Sequence, residues 1–350
     1  MLRIAFVGNY DPEAPRLAAL LGGLSRLNVA VTEMRSRGGL FGYSALFATL
    51  KQKTGEYDVV VVPDRSLGML VTAAVASSVP VVWLTNGSKY DLVVNDSIVS
   101  ARSLRSFFLW LYEWLLVVFA DLIVVPSESA ANFFAHTYGS PSQKFGWAFV
   151  GADDRRFVLE NTPPENGAIF EVVYYGDFLV TDGIDTIIRA AKLLEDDPTF
   201  RLTLVGDGGR GMHAGGLIAE TGATNVTHLP FVHTSEIPRR IAAASAVIGI
   251  LGKTPYADRY LPERIFAAAA MKRPLLSVSS RALGEAFDPA EHVIILPPGD
   301  HEALAAKLRE LRSNKDTLTT LLDGAYQRYA AVGTPEAVAR RFVEALEGMS

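Results

Sequence analysis

Short apolar runs alternate with longer segments of helical periodicity along most of the chain. The runs 57–63 and 79–85 are apolar throughout, as expected of parallel strands that are covered on both faces. A helix is predicted from Pro15, because leucines then recur at three- and four-residue spacing. Further strands are predicted at 2–7, 29–34 and 121–126. The first half of the chain therefore has the pattern of a doubly wound parallel α/β sheet.

The alternation begins again after a polar segment at residues 161–167, whose sequence is NTPPENG. Its prolines and other turn formers predict an interdomain linker. Strands are predicted at 171–175, 201–205, 226–229, 246–251, 274–278 and 293–296, with helices between them. The residues Thr334-Pro335-Glu336 are a strong start signal for a last helix. The pattern predicts domains at 1–160 and 168–330, followed by a terminal helix in 331–350.

Composition narrows the class of protein. At 350 residues and 49% hydrophobic content, the chain exceeds the usual size of a single core, which agrees with two domains. It has no cysteine, which excludes disulfides, thiol catalysis and thiolate metal sites. The net charge is −5, and the acidic excess lies after residue 160, so no basic face suggests a nucleic-acid partner. The first residues, MLRIAFVG, are too short and too strand-like for a signal peptide, and a cytoplasmic location is expected.

The segment 244–276 combines a buried strand, a polar loop, a helix and a second strand. Pro262 suits the first helical position and Glu263 suits the positive start of a helix. A helix that starts at the carboxyl end of a parallel strand faces the ligand crevice and favours an anion there. Lys253 and Arg264 would add positive charge. An ordinary strand–loop–helix unit fits about as well, because no glycine cradle is present.

This segment resembles the signature of retaining GT-B glycosyltransferases, most closely glycosyltransferase family 4 (glycosyl transferases group 1). The matching residues are Leu261, Pro262, Ala270 and Pro274, with Arg264 in the place of the family's lysine. Three positions depart from the pattern. Ala267 stands where the family has the glutamate that binds the donor ribose, and Lys272 stands at the usual glycine. The partner glutamate falls on Arg259, with Asp258 beside it.

Other stretches of the second half resemble the same family. Gly176 and Gly183 match its strand-end glycine loop, and Gly206 matches the glycine turn near the nucleotide base. Asp177 and Asp182 stand where the family has basic or hydroxyl residues. Two carboxylates would repel a diphosphate unless they face away from it or bind sugar hydroxyls. The resemblance implies donor-binding residues, namely Gly176, Asp177, Gly206, Asp258, Leu261, Pro262 and Glu263. It also implies Lys253 and Arg264 as the catalytic cations.

In the first half, the loop after the first strand resembles the family's acceptor-side entry loop. Arg16 could bind an acceptor phosphate, although a solvated helix arginine is at least as compatible with the sequence. The implied acceptor-binding residues are Asn9, Tyr10, Arg16, Asn86 and Gly87. No histidine spacing suggests a metal site, and the family rarely needs one.

The resemblance implies the GT-B fold, which is two Rossmann-like doubly wound domains with a cleft between them. It implies an acceptor domain at 1–160, a donor domain at 168–330 and a terminal helix in 331–350 that crosses back to the N-terminal domain. It implies transfer of a sugar, with retention, from a nucleotide-sugar donor to a glycan, a lipid-linked sugar or a small molecule. No cofactor is expected, since the nucleotide sugar is the donor substrate. Two alternatives remain open. One is a non-catalytic GT-B protein that binds a sugar nucleotide or an enzyme partner, and the other is a GT-B sugar-nucleotide epimerase.

The run Leu104 to Phe119, LRSFFLWLYEWLLVVF, is apolar on nearly all sides. It is too short to span a bilayer and carries Glu113. A helix of this kind is buried in the core, buried in a dimer interface, or in contact with lipid. Arg102 and Arg105 come just before it, so peripheral contact with the inner face of a membrane stays an open hypothesis alongside burial.

Overall fold

The computed structural model describes residues 2–36, 39–63, 65–96, 98–159, 169–208, 211–313 and 318–349. The predicted linker at 161–167 lies outside the described residues. Every predicted site residue lies within them.

The first sheet has six parallel strands in the order β2-β1-β3-β4-β5-β6. The strands are β1 Arg3–Gly8, β2 Ala30–Arg35, β3 Val59–Val62, β4 Val81–Leu84, β5 Leu122–Val125 and β6 Phe145–Trp147. The helices are α1 Pro15–Arg26, α2 Gly39–Gln52, α3 Leu67–Ala76, α4 Lys89–Asn95, α5 Leu104–Phe119 and α6 Glu128–Tyr138. The apolar runs predicted five of these strands. The sixth, β6, was not predicted, because it is short and has Gly146 at its centre.

The second sheet also has six parallel strands, in the order β12-β11-β10-β7-β8-β9. The strands are β7 Phe170–Tyr175, β8 Phe200–Val205, β9 Val226–Leu229, β10 Ala246–Ile248, β11 Leu275–Ser277 and β12 Ile294–Ile295. The helices are α7 Ile184–Leu193, α8 Gly211–Thr221, α9 Ile237–Ala243, α10 Glu263–Ala270, α11 Arg281–Ala286, α12 His301–Ser313, α13 Thr319–Val332 and α14 Pro335–Glu347. The prediction of two doubly wound parallel sheets is confirmed.

The chain divides into two compact units. The first comprises Met1–Asp153 with Val332–Ser350, and the second comprises Asp154–Ala331. The last helix, α14, therefore belongs to the first unit, where its apolar residues share a core cluster with those of α1. Thr334 begins α14 as the sequence predicts, because its hydroxyl accepts a hydrogen bond from the backbone N–H of Ala337 at 3.3 Å.

The sheet of the first unit is covered on both faces. One face packs against α2, α3, α5 and α6, and the other packs against α1 and α14. This arrangement explains why β3, β4 and β5 are buried along their whole length. Among the described helices, none is both long and apolar enough to cross a membrane.

Candidate functional site

The second sheet has a topological switch point between β7 and β10. From β7 the chain moves outwards through β8 and β9 and then crosses to β10 on the other side of β7. Since all these strands are parallel, the loops after β7 and β10 emerge next to each other at the carboxyl edge. Doubly wound sheets bind their ligands outside such a point.

A pocket of about 180 Å³ opens at the switch point. It is lined by the loop after β7, by the first turn of α7 and by Gly252 and Lys253 after β10. Lys253 is exposed, so its ammonium group is available to an anion in the pocket. The structure thus places one of the two predicted catalytic cations at a position where a ligand can reach it.

The two loops touch through glycine backbone. Gly183 has a φ of 71°, and a Cβ added there would lie 2.7 Å from the amide nitrogen of Gly252. The N–H of Gly252 donates to the carbonyl of Thr181 at 2.9 Å. Both positions require glycine. A side chain at Gly183 would be strained and would push the loops apart, and a side chain at Gly252 would collide with the carbonyl groups of the facing loop. These contacts fix the shape of the pocket floor.

A histidine and a carboxylate meet at the pocket. The Nε2 atom of His213 lies 2.8 Å from Oδ1 of Asp185, and both residues line the pocket. The N-cap of α7 is Gly183, which has no side chain to accept a hydrogen bond, and Asp185 lies within the first turn of the helix. Asp185 ties α7 to α8.

Arg264 lies inside the protein, next to the pocket. Its guanidinium forms an ion pair with Asp182, and the side chains are only 2% and 0% exposed respectively. Its Nε also donates to the carbonyl of Gly249 at 3.1 Å, and the cation lies 4.8 Å from the ring centroid of Tyr174. Burial is the largest single influence and lowers the pKa of Arg264, but Asp182 together with Tyr174 and Tyr260 raises it by more, so the pKa lies above its usual value.

This placement changes the expected role of Arg264. The sequence predicted that Arg264 faces the donor phosphates, whereas in the structure its charge is paired with the Asp182 carboxylate. As placed, Arg264 is a positioning residue: it connects α10 to the loop that ends in Gly183. The pairing also removes one of the two carboxylates that were expected to repel a diphosphate. The other, Asp177, is exposed to solvent.

The turns after β7 and β8 are in contact with each other. Gly176 has a φ of 156° and Gly206 a φ of 122°. A Cβ at Gly206 would collide with the carbonyl oxygen of Gly176, so the two turns can lie this close only with glycine at position 206. The sequence attributed these glycines to close approach of a ligand. In the structure, Gly206 is required by the neighbouring turn, whereas a Cβ at Gly176 would lie 2.7 Å from the hydroxyl of Tyr174 and 2.8 Å from the guanidinium of Arg264.

The start of α10 differs by one residue from the prediction. Pro262 is the N-cap, with φ −77° and ψ 156°, and Glu263 begins the helix. The Tyr175 hydroxyl lies 3.5 Å from the Glu263 carboxylate. Leu261 is buried, and Ala267 is fully buried within α10.

Asp258 has a structural partner. Its carboxylate accepts a hydrogen bond from the backbone N–H of Arg281 at 2.9 Å and pairs with the guanidinium of the same residue. It therefore holds the start of α11, and the sequence prediction that it contacts the donor stays a prediction.

Arg16 was predicted as an acceptor-phosphate ligand, but its side chain is buried. It donates to the backbone carbonyl of Thr85 and, at 3.1 Å, to that of Ala148. Burial lowers the pKa of Arg16 to about 9, so the group is still charged at neutral pH. Arg16 thus ties the start of α1 to the chain after β4 and β6.

Like Arg16, the other predicted acceptor residues lie at the carboxyl edge of the first sheet. Tyr10 donates its hydroxyl hydrogen to Glu33 at 3.1 Å, and Asn9 and Asn86 are exposed. Gly87 is buried, and its carbonyl accepts from Arg65 at 2.6 Å. Arg65 was not predicted, and no local pattern marks it. Its role appears only when β3 and β4 are placed side by side.

Metal binding receives no support from the described part of the chain. Within it, no group of three or more His, Asp or Glu side chains could hold an ion.

A protein-family model matches part of the second unit. Residues 170–314 match the model described as glycosyl transferases group 1, which confirms the resemblance at that level, while the closer likeness to glycosyltransferase family 4 stays a prediction. No curated protein sequence matches the chain.

Solved structures match nearly the whole chain. HepE from Anabaena, solved with UDP and glucose, is 17% identical with a TM-score of 0.71, over 99% of this chain and 100% of that one. Sucrose-phosphate synthase from Thermosynechococcus elongatus is 17% identical with a TM-score of 0.73, over 99% and 98%. The lipopolysaccharide outer core galactosyltransferase WaaB is 12% identical with a TM-score of 0.65, over 100% of both chains. The fold is therefore GT-B.

Proposed function

We propose that this protein is a glycosyltransferase that moves a sugar from a nucleotide-sugar donor to an acceptor, with retention of configuration. One observation carries the proposal. The unit that matches glycosyl transferases group 1 has a pocket at its switch point, and the exposed cation of Lys253 lines that pocket.

The chemistry needs positive charge where the nucleoside diphosphate leaves. Negative charge develops on the departing phosphate, and fixed donors that face it lower the barrier. Lys253 supplies positive charge, and the first turn of α7, the positive end of that helix's dipole, lines the same pocket. In this proposal Arg264 acts through Asp182 by holding the loop in place.

The remaining contacts are proposed from the family resemblance. Donor contacts are assigned to residues at the carboxyl edge of the second sheet: Gly176, Asp177, Gly206, Asp258, Leu261, Pro262 and Glu263. Acceptor contacts are assigned to Asn9, Tyr10, Asn86 and Gly87, with Arg16 fixing the loop. HepE has been solved with UDP-glucose, so UDP and UDP-glucose are the first probes for this chain.

A second candidate is a GT-B protein that binds a nucleotide sugar without turning it over. The observation in its favour is Ala267, whose buried methyl group cannot accept hydrogen bonds from a ribose. Product analysis separates the candidates. Transfer or hydrolysis of the donor supports the enzyme, an epimerised donor supports the epimerase, and tight binding without turnover supports the binder.

Replacing Lys253 by methionine is expected to weaken UDP binding by about tenfold or more, because a charge-assisted contact to phosphate is lost. The measurement is isothermal titration calorimetry with UDP. The matched control is Lys307→Met, which removes a lysine of the same unit that pairs with Glu310 on the surface of α12. Equal affinities for wild type and Lys253→Met would remove Lys253 from the donor site.

A further inference from the structure

The first unit exposes large apolar side chains at one edge. Phe41 is 92% exposed, Leu104 is 78%, Phe107 is 53% and Phe108 is 62%. These four residues are called the aromatic edge below. Single exposed apolar residues are common, but a group of this size marks a contact surface.

Topology places the four residues together. In a parallel sheet, each connecting helix begins at the carboxyl edge of the strands. Phe41 lies in the first turn of α2, which follows β2. The other three lie in the first five residues of α5, which runs towards the start of β5 and contacts the loop after β3 through Tyr112, so it too begins on the carboxyl side. All four therefore lie at the carboxyl edge of the sheet.

Hydrogen bonds connect both α2 and α5 to the start of α3. The hydroxyl of Tyr43 in α2 lies 3.4 Å from that of Ser66, which caps α3. Tyr112 in α5 donates to the carbonyl of Arg65 at 2.6 Å and accepts from the N–H of Leu67 at 3.1 Å. Phe41 is two residues from Tyr43. Phe108 is one helical turn from Tyr112 and shares a face of α5 with Leu104 and Phe107, so the α5 part of the aromatic edge lies beside the start of α3, and the first turn of α2 approaches the same point through Tyr43.

The exposed charges around α5 are positive. Between residues 88 and 119, the cations Lys89, Arg102 and Arg105 are exposed. The acids of the same stretch, Asp91, Asp96 and Glu113, are all buried. An incoming surface thus meets exposed cations beside apolar rings along this stretch of the described chain.

We propose that the aromatic edge, with Arg102 and Arg105, binds the surface of an anionic lipid bilayer. Phenylalanine and leucine side chains enter the boundary between head groups and acyl chains, while arginines bind the lipid phosphates. A second copy of the chain fits less well. A two-fold contact would bring this patch against itself and oppose like charges.

The surface lies at the edge that carries Asn9, Tyr10 and Asn86. A bilayer held there would present the head group of a lipid-borne acceptor to these loops. This last step, and only this one, rests on the proposed sugar transfer.

The test is co-sedimentation of the full chain with vesicles. One set contains phosphatidylcholine alone, and the other is an equimolar mixture with phosphatidylglycerol. Wild type is expected to bind the mixed vesicles at least fivefold more tightly than vesicles of phosphatidylcholine alone, because each cation near an anionic surface contributes a factor of roughly five. Phe107→Ser with Phe108→Ser is expected to reduce that binding by about tenfold or more.

Two further variants locate the effect. Val118→Ser is the matched control, because Val118 is 47% exposed but lies in the last turn of α5, at the opposite edge. It should bind vesicles like wild type. Arg102→Glu with Arg105→Glu should remove the preference for phosphatidylglycerol.

Three results would overturn the proposal. They are no binding to mixed vesicles, equal binding by wild type and the phenylalanine pair, or an equal loss in Val118→Ser. If sedimentation shows that the phenylalanine pair converts a dimer to a monomer without changing vesicle binding, the surface joins copies of this chain. UDP titrations without vesicles, and thermal unfolding, should be unchanged in the phenylalanine pair. The lipid proposal and the donor-site proposal can therefore fail separately.

Discussion

Replacing Arg264 by methionine is expected to lower the free energy of unfolding by about 3–5 kcal/mol, because it leaves the Asp182 carboxylate buried without its counter-ion. Both side chains are almost completely inaccessible, and the pair joins residues 82 positions apart. Methionine keeps much of the apolar volume, so the loss reports the charge and its hydrogen bonds. Urea unfolding followed by circular dichroism measures the change.

A double-mutant cycle separates the ion pair from the packing around it. Asp182→Asn with Arg264→Met should be less destabilised than the sum of the two single variants, because neither buried charge then lacks a partner. Arg281→Met is the matched control, since its pair with Asp258 is largely exposed and should contribute about 1 kcal/mol or less. Strict additivity in the cycle would show that Arg264 and Asp182 do not act as a pair.

The apolar pattern predicted the sheets well because burial on both faces leaves a continuous signal. In β3 four successive valines are buried, which is the continuous apolar run typical of a parallel strand covered on both faces. The three residues of β6 give no such signal, and their strand pairing depends on β5 being in place. Secondary structure was therefore predictable where it follows from local burial, and not where it follows from a neighbour.

The site was only partly predictable for a related reason. Lys253 could be expected at the pocket, because it comes just after a strand at the carboxyl edge. Nothing local to Arg264 shows that its partner is Asp182, since each residue alone has the pattern of a polar loop or helix start. Gly176 and Gly206 pose the same problem, because a sequence does not distinguish a glycine that admits a ligand from one that admits another part of the same chain.

Glu113 has a structural role that the sequence did not predict. In the sequence it argued, with the short length of the run, against a helix that spans a bilayer. In the structure it is a buried acceptor that connects α5 to α4 and α6. Its carboxylate accepts hydrogen bonds from Ser88 Oγ and the Lys89 N–H at 2.5 Å each, and from the Tyr138 hydroxyl at 2.6 Å. The Tyr90 N–H adds a weaker contact at 3.3 Å.

These partners explain why a carboxylate is tolerated here without a cation. All of them are donors, and two are backbone N–H groups at the start of α4, where the helix dipole favours negative charge. Burial and the neighbouring Glu113 carboxylate both raise the pKa of Tyr138, so that tyrosine stays a hydrogen-bond donor at neutral pH.

Glu113→Ala is accordingly expected to cost about 3–5 kcal/mol, because four donors lose their shared acceptor in a buried place. Tyr138→Phe removes only one of these bonds and should cost about 1–2 kcal/mol. Glu56→Ala, an exposed glutamate of the same unit, is the control and should stay within about 0.5 kcal/mol of wild type. Thermal and urea unfolding provide the comparison.

Hydrogen exchange shows whether the loss is local. The amides of Lys89 and Tyr90 should exchange faster in Glu113→Ala than in Tyr138→Phe, because only the former removes their acceptor. Gly87, whose carbonyl binds Arg65, directly precedes this cap. Loosening α4 should therefore also loosen the loop that carries Asn86, one of the proposed acceptor contacts. Unchanged exchange at Lys89 and Tyr90, together with wild-type stability, would mean that water replaces the carboxylate and that Glu113 does not hold this loop.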